Sequence, residues 1–304
     1  MDAEGGNISA DGNGQSAVDA FVAHRNLLFT VAYEMLGSAA DAEDVLQETW
    51  LRWADVDLPA VRDQRAYLVR ITTRLSLNRL RAVGRRRESY VGPWLPEPLL
   101  TAPDVAEDIE LAESVSMAVL LVLETLAPTE RAVFVLREVF DLAYDEIAEA
   151  VDRSPAAVRQ IAHRARAHVA ARRPRGVVSP DESRRVLTAF RVALETGNVQ
   201  GLLDVLAPDA VLLGDGGGVK QAVLRPIIGA DKVARLLCST HVRVETMALH
   251  PAEVNGHPAL ILRLDGAIDT VVALRIDDGL ITGVYAVRNP EKLSHVRRET
   301  TLRR

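Results

Sequence analysis

A single cysteine, Cys238, stands among the 304 residues. No intrachain disulfide and no cysteine-built zinc cluster can therefore form. No apolar run approaches bilayer-spanning length, and the N-terminus lacks the basic-then-apolar order of a secretory signal. Both lead to the expectation of a cytoplasmic protein with no membrane contact. An excess of positive charge is missing too. The 36 Lys and Arg face 42 Asp and Glu, for a formal net charge of −6. Bulk attraction to a polyanion is excluded, and any nucleic-acid surface must be local.

Local charge is what the chain has. Arg62 to Glu88 holds nine arginines against two acids, Asp63 and Glu88. Arg153 to Arg175 holds seven arginines and no acid, whereas Asp41 to Leu51 carries Asp41, Glu43, Asp44 and Glu48 and no base. An ordinary solvated surface mixes its charges.

The length accommodates two or three domains. Residues 1–16, rich in Gly, Asn, Asp and Ser, read as a disordered tail. Residues 17–88 read as all-helical. Asp41 is the expected N-cap of a helix that buries Val45, Leu46, Trp50 and Trp53, and a second helix is expected from about Arg65 to Val83. Residues 89–106 form a linker, because Pro93, Pro96, Pro98 and Pro103 cannot sit in a helix. Trp94 within it is expected to be docked. Residues 107–171 are helical again: one long helix up to Glu124, a new start at Pro128, then two short helices. A connector over 172–181 follows, then an α+β domain over 182–288 and a tail over 289–304. In the α+β domain a first helix, Ser183 to Glu195, is followed by a short one around Leu202 to Leu206 and another about Asp231 to Cys238. Strands are expected at Ala210–Leu213, Val242–Leu249, Ala259–Leu264, Ile268–Ile276 and Ile281–Val287, with hairpin turns at Asn255-Gly256 and Asp278-Gly279.

Leu142 to Val169 reads as a helix-turn-helix. Ser154 and Pro155 suit the N-cap and first residue of its second helix. Val158, Ile161, Ala162 and Ala165 share one face of that helix, leaving Arg159, Gln160, His163, Arg164 and Arg166 for a DNA major groove. A helical hairpin with surface arginines also occurs without DNA, so the motif alone leaves both readings open. In the earlier basic block Tyr67, Asn78 and Arg79 suit contacts to bases or phosphates. The acidic helix cannot bind DNA; it is either a docking face for a protein helix or a capped, solvated helix.

Asp41-Ala42-Glu43-Asp44-Val45-Leu46-Gln47-Glu48-Thr49-Trp50, Arg65-Ala66-Tyr67-Leu68 and Asn78-Arg79-Leu80-Arg81 resemble region 2 of the extracytoplasmic-function sigma factors of the sigma-70 family. Leu126-Ala127-Pro128-Thr129-Glu130-Arg131 and the helix-turn-helix resemble region 4 of the same family. The resemblance implies that Asp41, Asp44, Gln47 and Glu48 dock on the clamp helices of core RNA polymerase, with the flap as a further contact. It implies that Asp63, Arg65, Arg70, Arg74, Asn78 and Arg79 open and read the −10 promoter element. It implies that Ser154, Arg159, Gln160, His163, Arg164 and Arg166 read the −35 element. Ala143 departs from the family, which often has a capping Ser or Thr there, at a cost of about 1 kcal/mol.

Gly197-Asn198-Val199-Gln200-Gly201-Leu202-Leu203 and Leu206-Ala207-Pro208-Asp209-Ala210-Val211 resemble the SnoaL-like branch of the nuclear-transport-factor-2-like fold. The implied class is two all-α sigma domains followed by a cone-shaped α+β domain with a curved antiparallel sheet. Trp94-Leu95-Pro96-Glu97-Pro98, Asp215-Gly216-Gly217-Gly218 and Asn289-Pro290-Glu291-Lys292-Leu293 resemble motifs of the sigma subgroup carrying this extension. For these the resemblance implies regulatory contacts through Trp94, Leu95, Pro96, Asp215, Gly216, Gly217, Gly218, Asn289 and Pro290. The fused domain would act in place of a separate anti-sigma protein. Val219 before Lys220 is a small departure from the usual glycine-lysine order. As a phosphate cradle the glycine run is poor, since no Lys-Ser/Thr pair follows. His241, His250 and His257 read as ordinary residues, so no enzyme activity, metal or cofactor is expected. The competing reading is a helix-turn-helix regulator fused to a ligand-sensing or catalytic SnoaL-like domain, which has no need of the acidic helix.

Overall fold

A computed structural model describes residues 8–87, 90–101, 108–172, 178–241 and 247–304. The chain divides into two compact units. The first comprises residues up to Val83, Leu126–His168 and Leu302–Arg304; the second comprises Gly84–Thr125 and Val169–Thr301.

In the first unit, α1 (Ile8–Leu36), α2 (Ala39–Ala54) and α3 (Gln64–Arg87) pack in sequence order. The expected disordered tail is shortened: α1 already begins at Ile8, and residues 1–7 lie outside the described residues. Once a packed helix exists, each further residue adds a hydrogen bond without a new nucleus, so poor helix formers can extend it. Gly37 (φ 66) ends α1, its N–H reaching Tyr33 O at 2.7 Å. The next residue, Ser38, then caps α2 through Oγ to the Asp41 N–H at 3.1 Å. Ser38, not Asp41, is the N-cap, because the chain leaves its left-handed turn there in the extended conformation a cap needs.

The three helices are antiparallel neighbours. Trp53, buried on α2, donates from Nε1 to Ala17 O at 2.8 Å, and Trp50 meets Phe21 edge-on at 5.3 Å. Trp50 is only half-buried, unlike the expectation. Toward α3, Thr49 and Thr72 share a buried hydroxyl hydrogen bond of 3.2 Å, and Trp53 lies 5.8 Å from the Tyr67 ring. Asp63 Oδ1 accepts from the Ala66 N–H at 2.9 Å and so caps α3.

The same unit holds the helices that follow Leu126. These are α6 (Pro128–Phe134), a π-helical turn (Val135–Val139), α7 (Tyr144–Val151) and α8 (Pro155–Ala170). Asp152 (φ 55) closes α7, and Ser154 Oγ accepts from the Ala157 N–H at 3.3 Å to start α8, as the sequence suggests. Ala143 offers no capping hydroxyl, but Glu146 accepts from its N–H at 2.9 Å, which recovers half of a capping box. Fully buried Arg131 of α6 donates to Glu34 O of α1 at 2.9 Å. Burial pushes its pKa down to about 9, still charged at neutral pH. The C-terminal Leu302 is buried in this unit, and the Arg303 N–H donates to Thr30 Oγ1.

In the second unit the expected long helix ending at Glu124 is two helices, α4 (Ile109–Val115) and α5 (Met117–Leu123). Ser116 (ψ 146) breaks it and caps α5 by accepting from the Val119 N–H. Then come α9 (Pro180–Glu195), α10 (Val199–Leu203, ending before the expected Leu206) and α11 (Ala230–His241). The strands are β1 (Leu206–Asp215), β2 (Ile227–Ile228), β3 (Met247–Val254), β4 (His257–Leu264), β5 (Ala267–Asp277) and β6 (Leu280–Val287), in the order β2-β1-β6-β5-β4-β3. Of the expected strand Val242–Leu249, residues 242–246 lie outside the described residues. The sheet is antiparallel except where β1 runs parallel to β6.

Positive φ at both residues of Asn255-Gly256, Asp265-Gly266 and Asp278-Gly279 makes three tight hairpins; the middle one is additional to those expected. One face of the sheet carries a core of Leu260, Val272 and Val284 with Phe190, Leu202 and Val233 from the helices. The other carries Ile261, Val271 and Val287 with Leu95, Met117 and Leu293. Cover on both faces explains why β5 is buried without a break from Asp269 to Ala273 instead of alternating. At about 1.5–3 kcal/mol per buried aliphatic side chain, the linker contributes directly to this core through Leu95.

Candidate nucleic-acid interface

On α2 the stripe Ala42, Val45, Leu46, Thr49 and Trp53 is buried, which leaves Asp44, Gln47 and Glu48 exposed and Asp41 half-buried. Arg79 of α3 donates from Nε to Asp41 Oδ1 at 2.8 Å and from NH2 to Asp44 Oδ2 at 2.6 Å. The Asp41 hydrogen bond, reinforced by both carboxylate charges, raises the pKa of Arg79 above its ordinary value.

Around α3, Arg65, Arg74 and Asn78 are exposed and Arg70 is half-buried. Arg70 lies over the Tyr67 ring at 4.7 Å, and its NH1 meets Glu149 Oε2 of α7 at 3.0 Å. Arg74 donates to the Glu149 carbonyl at 2.8 Å. On α8, Val158, Ala162, Ala165 and Val169 are buried, whereas Ser154, Arg159, Gln160, His163, Arg164 and Arg166 are exposed. Arg166 is paired with Glu138 at 2.7 Å, and that hydrogen bond raises its pKa. Arg164 lies 3.6 Å from Glu130, and Arg159 sits 5.7 Å from the Tyr144 ring. The N-terminal turns of a recognition helix are the part that reaches base edges. Arg159 and Gln160 are nearest that end, with His163 and Arg164 at mid-helix and Arg166 beyond them.

The second unit gathers the three remaining motifs around one carboxylate. Asp215, at the end of β1, is fully buried. It accepts from Tyr90 Oη at 2.6 Å, Leu95 N at 2.9 Å, Gly217 N at 3.0 Å and Lys292 Nζ at 2.7 Å. Lys292 also donates to Leu95 O at 2.6 Å and lies 4.0 Å from the Trp94 ring centroid. Asn289 donates to Tyr90 Oη, and a Cβ on Gly217 (φ +62) would fall 2.4 Å from Asn289 Nδ2. Trp94 is half-buried, and Leu95 and Pro96 are buried. Gly216 admits no side chain, because a Cβ there would lie 2.0 Å from Lys220 O. Gly218 and Pro290 are exposed at the margin.

Residues 20–86 match the family described as Sigma-70 region 2, and residues 116–169 match Sigma-70, region 4. Over 291 residues the chain is 34% identical to the ECF RNA polymerase sigma factor SigJ of Mycobacterium tuberculosis, with 91% of this chain and 93% of that one covered. The chain belongs to the extracytoplasmic-function sigma factors. It is also 32% identical over 283 residues to the probable ECF sigma factor SigI of the same organism, covering 92% and 96% of the two chains. The crystal structure of M. tuberculosis SigJ matches the fold with a TM-score of 0.75 at 33% identity, covering 92% of this chain and 99% of that one. The protein is thus an RNA polymerase sigma factor acting in transcription initiation, with region 2 in α1–α3 and an α+β domain behind region 4.

Several residues of this sigma factor take partners that no local sequence signal identifies. Glu149 engages Arg70 and Arg74 from the first helix of the helix-turn-helix, and nothing in its own helix marks it out. Tyr90 and Lys292 complete the Asp215 cluster from 125 and 77 residues away. Burial and then Asp215 raise the pKa of Tyr90, which stays protonated. Asn255 forms a second anchor: it accepts from Leu99 N at 3.0 Å and donates to Val115 O at 2.9 Å. Beside it, His257 Nε2 lies 3.1 Å from Ala112 O. His250 is exposed, His257 is half-buried, and the His241 side chain lies outside the described residues. Among the described residues no cluster of metal-ligating groups is present, and no helix is long and apolar enough to cross a membrane.

Proposed function

We propose that this sigma factor docks on the clamp helices of core polymerase through α2, reads and opens the −10 element with α3, and reads the −35 element with α8. The observation that carries this reading is the segregation of exposed side chains within one unit. Gln47 and Glu48 face solvent on α2, Arg74 and Asn78 on α3, and Arg159, Gln160 and His163 on α8. Strand opening needs a cationic grip on phosphates and side chains that engage unstacked bases, which Arg70, Arg74, Asn78 and Tyr67 can supply. Asp63 acts through its cap on α3, and Arg65 at the same end adds phosphate contact.

In the free protein, Arg70 and Arg74 are held by Glu149, so docking on polymerase must release them before α3 can engage DNA. The C-terminal domain regulates initiation by fixing the linker at Trp94, Leu95 and Pro96 on Asp215, Gly217 and Asn289. It does so in cis and without a separate anti-sigma protein.

Run-off transcription with core RNA polymerase tests the assignment. The full-length protein is expected to direct promoter-dependent transcripts, and Glu48→Ala is expected to reduce them through weaker core binding. Promoter-independent output from both proteins would reject the assignment.

A further inference from the structure

Two stripes run along α3. Tyr67, Arg70, Arg74, Asn78 and Arg81 follow one another at steps of three and four and share a face. Leu68, Thr72, Leu75 and Arg79 form a second stripe, and its Thr72 hydroxyl meets Thr49 of α2. Arg79 is therefore aimed at the acidic helix and away from the stripe proposed to engage DNA. Its NH2 nitrogen lies 2.6 Å from Asp41 Oδ1 and 2.6 Å from Asp44 Oδ2, while Nε donates to the same Asp41 oxygen. Asp41 and Asp44 stand three residues apart on one helix face, where like charges repel. A guanidinium between them offsets that repulsion and fixes both rotamers. The Asp44 side chain is still 54% exposed and Asp41 21%, so the held carboxylates face outward.

We propose that Arg79 is a positioning residue for polymerase docking, holding Asp41 and Asp44 in the arrangement a protein partner meets, and is not a promoter contact. This rests on α2 being the docking face. Ordering two side chains before contact reduces the entropy lost on binding. On the side of α2 facing α1, Arg25 pairs with Glu43 at 2.7 Å.

Equilibrium binding of full-length protein to core RNA polymerase tests this, together with −10 base preference in run-off transcription. Arg79→Ala is expected to weaken core binding on the order of fivefold, the scale of a half-exposed ion pair, with −10 base preference unchanged. Arg79→Lys, which keeps the charge but not the two-carboxylate span, should fall between Ala and the native protein. In an Asp41→Asn/Asp44→Asn background, already weaker, Arg79→Ala should have no further effect, because its action runs through those carboxylates. An unaltered or tighter affinity for core in Arg79→Ala, or an altered −10 base preference, overturns the proposal. If Asp41→Asn/Asp44→Asn leaves core binding intact, the docking assignment fails and takes the proposal with it. If that variant weakens binding and Arg79→Ala does not, the docking assignment survives and only the role of Arg79 falls. A thermal midpoint for Arg79→Lys close to the native value keeps loss of folding apart from loss of docking.

Discussion

The charged groups around Asp215 and the exposed ion pairs on the sigma helices are built on opposite principles. Asp215 and Lys292 are buried, and their partners include backbone groups of Leu95 and Gly217 as well as side chains. On the sigma helices, Glu149, Asp44 and Arg166 sit half or more in solvent, each held by one opposite charge from a neighbouring helix. Buried, fully partnered charges are costly to separate, whereas exposed pairs exchange partners at little cost. The cluster around Asp215 is therefore a fixed anchor for the linker, and the pairs on the sigma helices are the ones free to exchange, as the proposed docking on polymerase and DNA requires.

The sharpest way to break this contrast is to remove a member of the buried pair. Lys292→Ala leaves Asp215 as an uncompensated buried carboxylate and should destabilise the protein by about 3–5 kcal/mol, read by denaturant unfolding. A cost near that of a surface pair would erase the distinction. Gly217→Ala attacks the same anchor sterically. With φ at +62 and a Cβ 2.4 Å from Asn289 Nδ2, a loss of about 1–3 kcal/mol is expected.

Acid should loosen the second anchor. Burial holds the pKa of His257 below its ordinary value, so the unfolded chain takes up the proton first. The associated stability is complete above the unfolded pKa of about 6.5 and falls as pH drops toward the folded value, by at most about 1.4 kcal/mol per pH unit. His257→Gln should flatten the stability–pH curve in that window, and an unchanged curve would remove His257 from the account. The smallest stability effect is expected at Glu149→Ala, within about 1 kcal/mol. Binding of the free protein to single-stranded DNA should nevertheless tighten as Arg70 and Arg74 are released. No change in that binding would mean the Glu149 contacts do not mask α3.

Much of this was legible where the signal is local. Ser154 and Pro155 start α8, Asn255-Gly256 and Asp278-Gly279 make their hairpins, and the acidic and basic blocks lie on the helices expected for them. What escaped depends on context. Asp41 looks like a cap until Gly37 turns the chain and Ser38 reaches the position first. Ser116 is an ordinary helix residue by pattern, yet it ends one helix and caps the next. The parallel β1–β6 pair and the partners of Glu149, Tyr90 and Lys292 are long-range pairings that no window of sequence contains. Arg79 shows the same limit within a single helix. Its composition groups it with the other α3 arginines, and only the packing of α2 on α3 shows that it pairs with Asp41 and Asp44.

Amide hydrogen exchange on the full-length protein, free and assembled with core polymerase and promoter DNA, tests the division between anchor and exchangeable surface most directly. Protection at Leu95, Gly217 and the residues around Asn289 should persist in both states, while α3 from Arg70 to Arg79 and α7 around Glu149 change. Loss of protection at Leu95 and Gly217 on assembly, with α3 and α7 unaltered, would contradict it.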